Sequence, residues 1–244
     1  MKPECCMTRS VQPELLDELP PEDSNALHSR RDLERLNRWM ANGEIVTKAL
    51  LACSRGRPAK RLVEWGAGDG SYLLRLASRL KGQWPGAEVM LVDRQNLGTE
   101  RMRSAFARYG WRATFVQADI LEWLSSEEFQ ADVIITNLFL HHFRNEDLQT
   151  MFQHATQHTT LFTACEPARS AFSLIACKFL GLIGCNHVTR RDAEISVRAG
   201  FTNHELSELW PRNSEWQLKE GPAGQFSHLF VASNRGVSSE PGKI

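Results

Sequence analysis

The 244-residue chain has no net charge and no long apolar run. Lys and Arg together number 29, and so do Asp and Glu, so the chain lacks the basic excess of proteins that coat nucleic acid. No stretch approaches the roughly 18 apolar residues of a membrane-spanning helix. The opening residues MKPECCMTRS lack the apolar core of a secretory signal peptide. We therefore expect a cytoplasmic protein with no membrane span and no nucleic-acid partner.

Cysteine is sparse, and its spacing does not suit a metal site. Cys5 and Cys6 are adjacent, and none of the six cysteines forms a CxxC pair. Cysteine-based metal sites normally show such paired spacing. We expect reduced thiols and no metal ion, in agreement with a cytoplasmic compartment.

Strand-like and helical segments alternate from Arg61 onward. Five strand-like segments lie between residues 61 and 167, each followed by a helical pattern, and two more, 203–210 and 226–234, follow the last helix. This order predicts an α/β fold: a Rossmann-like seven-stranded, mostly parallel sheet with an antiparallel last strand and helices on both faces.

The segments on either side of the sheet region have a different composition. Residues 1–60 are predicted to form an amino-terminal lead-in and helical cap. Its first 23 residues are rich in Pro, Glu and Asp and look loose, whereas residues 24–54 have helical spacing. Ser24 is the expected N-cap, and Asn42-Gly43 is the expected break between two helices. Residues 61–234 form the main domain, and residues 235–244 are predicted to be disordered.

Three glycines separate the first strand from the first helix of the sheet region. Gly66, Gly68 and Gly70 lie in the stretch RLVEWGAGDGSYLL. Such a loop lets the backbone approach a ligand, and the helix beyond it offers free N–H groups to an anion. Ser71 stands where a dinucleotide motif has its third glycine. Glu64 would face a pyrophosphate unfavourably but suits a positively charged ligand.

This stretch resembles the first motif of the class I S-adenosylmethionine-dependent methyltransferases, which reads [E/D]-x-G-x-G-x-G. The residues from Glu64 to Gly70, with Ala67 among them, fill each fixed position. The resemblance implies S-adenosylmethionine as the cofactor and a methyltransferase domain over residues 61–234. The sulfonium and ammonium groups of that molecule suit a nearby carboxylate.

Three further strand ends match the same family. The resemblance implies that Asp93, followed by Arg94, binds the ribose hydroxyls with its carboxylate. It implies that Asp119 accepts from the adenine amino group and that Ile120 packs on the ring. A helix cap is an alternative role for Asp119, and the two roles are compatible. Asn137 is expected beside the methionine part of the cofactor.

The stretch LHHF, after the fourth strand, resembles small-molecule methyltransferases of quinone biosynthesis and secondary metabolism. The [N/D/S]-P-P-[Y/F] motif of enzymes that methylate amide-like nitrogens is not present at this position. His142 or His141 is the candidate base for a phenolic proton, with packing or helix capping as the alternative.

A long apolar connection follows the fifth strand. Arg169 is expected to meet an acceptor carboxylate or to pair with Glu166. Phe172 and Phe179 are expected to line the acceptor pocket, with a core helix as the alternative. Trp39 is expected to cover the site or to pack against the sheet edge.

Together these features predict S-adenosylmethionine-dependent methyl transfer to a small, largely apolar acceptor of phenolic or quinone-like type. The alternatives are a methyltransferase acting on protein or RNA, and a non-catalytic cofactor-binding regulatory protein. The sequence does not distinguish between oxygen, carbon and nitrogen as the accepting atom, and it says nothing of the oligomeric state.

Overall fold

The computed structural model describes residues 7–20, 22–54, 56–126, 129–212 and 215–234. Within them, seven strands form one sheet in the order β3-β2-β1-β4-β5-β7-β6. The strands are β1 (Arg61–Trp65), β2 (Glu88–Asp93), β3 (Arg112–Gln117), β4 (Val133–Asn137), β5 (Leu161–Pro167), β6 (Trp216–Ala223) and β7 (Ser227–Asn234). The predicted disordered tail, 235–244, and the Cys5-Cys6 pair lie outside the described residues.

The sheet has the predicted mixed character. β1 to β5 are mutually parallel, whereas β7 pairs antiparallel with both β5 and β6. The Rossmann-like sheet with an antiparallel last strand is therefore confirmed. Because the strand order reverses between β1 and β4, a crevice opens at the carboxyl ends of these two strands, where ligands of such folds bind.

The helices cover both faces of the sheet, as side-chain alternation along the central strands requires. Leu62 joins a buried cluster with α3, α4 and α5, whereas Val63 and Trp65 join a second cluster with α6, α7 and α10. The helices are α1 (Leu15–Glu18), α2 (Ser24–Trp39), α3 (Asn42–Ser54), α4 (Ser71–Leu80), α5 (Glu100–Ala107), α6 (Ile120–Ser126), α7 (Asn145–His158), α8 (Ala171–Phe179), α9 (His187–Ala199) and α10 (Glu205–Leu209), with short 3-10 turns at Leu140–His142 and Leu180–Ile183. None of the described helices combines the length and apolar content needed to cross a bilayer.

The sixth strand was predicted in the wrong place. Residues 203–210 contain helix α10, and the apolar residues that suggested strand alternation, Leu206 and Trp210, are buried at helical spacing. The sixth strand is instead β6. It contains Gly221 and Pro222, two residue types that disfavour a strand prediction from sequence. An edge strand tolerates both residues, because one side of its backbone needs no partner.

Helix starts also differ from the sequence prediction. Asp23, not Ser24, caps α2 and accepts from the N–H groups of Asn25 and Ala26 at 2.8 and 3.2 Å. Asn186 caps α9, and its side chain accepts from the N–H of Thr189 at 2.8 Å. The two amino-terminal helices are separate, as expected, but the break lies at residues 40–41, and Asn42 and Gly43 form the first turn of α3.

The amino-terminal strap, residues 7–20, packs across the carboxyl edge of the sheet and is not loose. The guanidinium of Arg9 donates to the carbonyls of Ala199 and Phe143, each at 2.8 Å. The carboxylate of Asp192 accepts from the N–H groups of Leu15 and Leu16, each at 2.9 Å. These contacts place Glu14 and Asp17 beside the ends of β4 and β5.

Candidate cofactor and acceptor site

A cavity of about 1220 Å³ lies at the carboxyl ends of the parallel strands. Single-ligand pockets typically measure about 300–1,000 Å³, so this cavity has room for a cofactor and an acceptor together. Most of the residues singled out from the sequence line it: Glu64, Gly66, Ala67, Gly68, Asp93, Arg94, Asp119, Ile120, Asn137, His141, His142, Phe172, Phe179 and Trp39.

Two residues predicted for the site are not on the cavity wall. Gly70 is the N-cap of α4, behind the loop. Arg169 turns away from the cavity, where its guanidinium donates to the carbonyls of Gly200 and Met7 at 2.6 and 2.7 Å and pairs with Glu205. The expected contacts of Arg169 with an acceptor or with Glu166 are therefore corrected. Its side chain instead ties the end of β5 to the strap and to α10.

The glycine loop after β1 needs glycine for two different reasons. Gly66 and Gly68 both have left-handed backbones, with φ of 69° and 56°. A Cβ at Gly66 would lie 2.1 Å from the ring of Phe139, so close packing inside the protein excludes a side chain there. A Cβ at Gly68 would meet nothing within 4 Å, which leaves open space along the cavity.

Asp93 connects the end of β2 to this loop. One carboxylate oxygen accepts from the N–H of Gly68 and the other from the N–H of Gln95, each at 2.8 Å. Each oxygen keeps a further lone pair, so the carboxylate can still accept two hydroxyl groups. The predicted ribose contact is geometrically possible, and Asp93 also fixes the loop.

Asp119 caps α6, which is one of its two predicted roles. Its carboxylate accepts from the N–H of Leu121 at 2.9 Å. Asp119 and the buried Ile120 both line the cavity, so the adenine role stays a prediction compatible with the cap.

Glu64 is a buried acid with an unused oxygen. Its side chain is almost fully buried, and within the described part of the chain Oε2 has no hydrogen-bond partner. Burial, followed by the charges of Asp69 and Asp93, raises its pKa well above 4.5 despite the opposing charge of Arg75. A bound cation would favour the ionised form of Glu64. The orphaned acid and the open loop together fit a ligand with the charges of S-adenosylmethionine.

Asn137 is held by a chain of polar contacts that the sequence did not reveal. The side-chain amide of Asn42 donates to Oδ1 of Asn137 at 3.1 Å, and the hydroxyl of Ser227 donates to Oδ1 of Asn42 at 2.6 Å. Asn42 was noted in the sequence only as a helix break. Its role depends on packing between residues 95 positions apart.

Glu166 organises the turn after β4. Its fully buried carboxylate accepts from the N–H groups of Phe139 and Leu140 at 3.1 and 3.0 Å, and from Nδ1 of His141 at 2.8 Å. The ring of Phe139 lies against Gly66, so this turn is packed directly on the glycine loop.

His141 is an imidazolium held between two acids. Nδ1 faces Glu166, and Nε2 lies 3.4 Å from Oε1 of Glu14 on the strap. Burial alone lowers the pKa of His141, but the hydrogen bonds and charges of Glu14 and Glu166 outweigh it and raise the pKa to about 9. With a proton on each nitrogen, His141 would have no lone pair to accept another, so His142 is the better candidate of the two predicted bases.

His142 has the opposite character. Its side chain is 25% exposed, and Nδ1 lies 3.6 Å from a carboxylate oxygen of Asp17. Burial, followed by the charge of His141, lowers its pKa below 6.5 against the opposing charges of Glu14 and Asp17. His142 is therefore neutral at physiological pH and can accept a proton.

The same cluster has the spacing of metal ligands. Ligand atoms of Glu14, His141 and His142 lie within 4.8 Å of one another, so these side chains could hold a divalent ion. In the imidazolium form, the Nε2 proton of His141 occupies the space between that ring and Glu14.

The far side of the cavity is apolar and half open. Helix α8 buries only Ser173, so the core-helix alternative for this segment is wrong. The ring of Phe226 stacks on Phe172, with ring centroids 5.4 Å apart, and lies 5.8 Å from Trp39. Phe172, Phe179 and Trp39 therefore form an aromatic rim rather than a core.

Comparison with known proteins gives one domain match and a shared fold. Residues 62–160 match the model of a family described as a methyltransferase domain. No curated protein matches the sequence significantly.

Solved structures share the whole architecture at low sequence identity. The plantazolicin methyltransferase BamL, in complex with a triazolic desmethylPZN analog and SAH, is 13% identical with a TM-score of 0.64, over 87% of this chain and 92% of that one. An O-methyltransferase family protein from Burkholderia thailandensis is 16% identical with a TM-score of 0.56, over 86% and 59% of the two chains. The pyocyanin biosynthetic protein PhzM is 16% identical with a TM-score of 0.58, over 90% and 60%.

Gly68→Val is expected to abolish binding of S-adenosylmethionine, because the new side chain enters the open space beside the loop. The matched control is Gly110→Val, which has a similar φ of 73°, open space, and a position away from the cavity wall. Both variants pay a comparable backbone strain of about 1–2 kcal/mol. Calorimetric titration of the folded variants should show loss of affinity only for Gly68→Val, and equal affinity in both would contradict this location.

The stability of the protein is expected to fall as pH rises from 6.5 to about 9, because the folded state holds a proton on His141 more tightly than the unfolded state. The stabilisation is fully present below pH 6.5 and is lost as pH rises through about 9. Glu14→Gln should lower the pKa of His141 and shift this loss to lower pH. Glu194→Gln, at an exposed acid paired with Arg198, is the control. Histidine NMR titrations and urea unfolding at several pH values measure both effects, and an ordinary pKa for His141 would refute the arrangement.

Proposed function

We propose that this chain, an S-adenosylmethionine-dependent methyltransferase of the class I family, methylates an acidic hydroxyl on a small, largely apolar molecule. The methyltransferase domain matched over residues 62–160 supports the predicted family, enzyme class and cofactor, and the solved structures confirm the predicted fold. The finer proposal rests on one observation: His142, whose pKa is lowered by burial, lines the same cavity as the glycine loop and the aromatic rim.

The cofactor half of the cavity is proposed to lie along the ends of β1, β2 and β3. S-adenosylmethionine supplies, when bound, an electrophilic methyl group on a positively charged sulfur. In this arrangement Glu64 offers a buried carboxylate to the positive charges of the cofactor. The N–H groups at the start of α4 would face the carboxylate of the cofactor, and Asp93 would accept hydrogen bonds from its ribose hydroxyls. Asp119 and Ile120 are placed to contact the adenine.

The acceptor half is proposed to lie between His142 and the aromatic rim of Trp39, Phe172 and Phe179. An apolar ring or chain packs on the rim, and its hydroxyl points towards the imidazole. Nδ1 of His142 faces Asp17, so Nε2 is the atom that takes the hydroxyl proton. Partial exposure of the ring lets the proton leave to solvent. The protein contributes mainly by holding the two reactants in line and removing this proton.

The neighbouring structures support an acceptor of modest size. One was solved with a triazolic desmethylPZN analog, and another is a pyocyanin biosynthetic protein. The balanced charge of the chain, 29 basic and 29 acidic residues, counts against RNA as the acceptor. A non-catalytic regulatory role is distinguished by turnover, because such a protein would bind cofactor without releasing methylated product.

His142→Gln is expected to reduce turnover of a phenolic acceptor by roughly 10²–10⁴-fold while cofactor affinity stays nearly unchanged. Because the ring must be neutral to accept the proton, wild-type activity should rise with pH through a value below 6.5, and the variant should lose this limb. His154→Gln is the matched control, since burial also lowers the pKa of His154 but this residue does not line the cavity. A variant that keeps full turnover and the same pH limb would exclude His142 as the base. Turnover that requires an added divalent ion would point to metal activation instead.

Phe172→Glu is expected to raise the KM for an apolar acceptor by roughly tenfold to a hundredfold. This factor corresponds to the free energy lost when one aromatic side chain no longer packs against the acceptor. Cofactor affinity should not change. Leu27→Glu is the control, because Leu27 is also an exposed apolar residue but does not line the cavity. If KM is the same in wild type and both variants, the acceptor enters from another side.

A further inference from the structure

A group of exposed apolar side chains lies at the cavity. Six large apolar side chains are each more than half exposed: Trp39, Phe172, Ile175, Phe179, Leu182 and Ile183. Isolated exposed apolar residues are common in soluble proteins, but a contiguous group marks a contact surface. We call this group the mouth patch.

The mouth patch is continuous in the fold. Phe172, Ile175 and Phe179 lie on one face of α8, at spacings of three and four residues. The chain then passes directly into the 3-10 turn at Leu180–Ile183. Trp39 joins the group through the ring of Phe226.

The mouth patch extends from the cavity to the outer surface. Five of its six members line the cavity, whereas Leu182, which is 83% exposed, does not. A molecule leaving the acceptor half of the cavity would therefore remain in contact with apolar side chains until it reached the outside.

Positive charge flanks the patch on the side of α8 and α9, whereas the exposed acids Asp17 and Glu18 of the strap also line the cavity. Between Glu166 and Asp192 the sequence contains no acid, but it contains Lys178, Arg190 and Arg191, all exposed. The guanidinium of Arg190 lies against Gly181, within 3.2 Å of where a Cβ would stand, and so beside the tip of the turn. The nearby exposed acid Glu194 is paired with Arg198 at 2.7 Å.

We propose that the mouth patch docks on an anionic lipid bilayer and that the acceptor enters the cavity from that bilayer. An apolar tip among basic side chains matches the layered chemistry of an anionic membrane surface, and tryptophan suits its interface. A second copy of the chain fits this surface less well, since it would bring the same positive charges together. The acceptor class rests on the proposed function, whereas bilayer docking does not.

The test is co-sedimentation of the full chain with vesicles of phosphatidylcholine alone and of phosphatidylcholine with phosphatidylglycerol. The wild type should bind the anionic vesicles, with binding weakened by salt. Leu182→Asp should reduce partitioning by roughly tenfold to a hundredfold, because one large apolar side chain no longer inserts. Lys178→Glu with Arg190→Glu should reduce it by roughly tenfold or more. Arg101→Glu with Arg108→Glu, at exposed residues in α5 and at its C-cap, changes the net charge equally and should have little effect.

Two further measurements distinguish a failure of the docking proposal from a failure of the proposed function. They are the cofactor affinity and the turnover of a water-soluble phenol. Leu182→Asp should preserve both, because Leu182 does not line the cavity. Failure of the wild type to bind anionic vesicles, or equal binding by the patch and control variants, would overturn the docking proposal. A dimer in solution that Leu182→Asp dissociates would also overturn it, by assigning the patch to a second copy. If the wild type does not methylate the water-soluble phenol, that result would instead contradict the proposed function.

Discussion

The buried carboxylate of Glu166 is the contact on which the histidine side of the cavity depends. It collects N–H donors from the turn after β4 and the ring of His141 at one point. This turn includes Leu138, which has a left-handed φ of 51°, a strained conformation for a residue with a side chain. Without the acid, these buried donors would lose their acceptor, which costs about 1–3 kcal/mol for each unsatisfied group. Glu166 therefore fixes the position of Phe139 over the glycine loop and of both histidines.

The two ends of the cavity differ in their electrostatics. Beside the glycine loop, burial raises the pKa of Glu64 well above 4.5, and a bound positive charge would oppose this shift. At the acceptor end, two acids keep His141 charged, and that charge helps to keep the adjacent His142 neutral. The proposed methyl transfer from a sulfonium to a hydroxyl would use a carboxylate at one end of the cavity and a proton acceptor at the other.

The amino-terminal strap completes the acceptor end from a distance in sequence. Glu14 reaches His141 across 127 positions, and Asp192 on α9 anchors the adjacent N–H groups. The state of the histidine pair is consequently coupled to the ordering of the strap. An apolar rim with basic surroundings then joins this end of the cavity to the outside.

The sequence by itself determined the features that are local to the chain. The alternation of strands and helices, the glycine loop, Asp93 and Asp119 could all be identified because each lies at or next to a strand end, and parallel strands bring such ends together. The aromatic residues Phe172 and Phe179 were correctly placed on the cavity wall, although exposure rather than burial distinguishes them.

Only the tertiary structure decided which side chains meet across long separations. In the fold, Arg169 pairs with Glu205, and the carboxylate of Glu166 accepts from the N–H groups of the turn after β4. The tertiary structure also raises the pKa of His141 through two acids and lowers the pKa of His142 through burial, although the two are adjacent in the sequence. It placed the sixth strand at a Gly-Pro segment that the sheet edge tolerates. The physical reason is that strand and helix patterns reflect local spacing, whereas charge state and hydrogen-bond partners depend on burial and on neighbours that packing alone brings together.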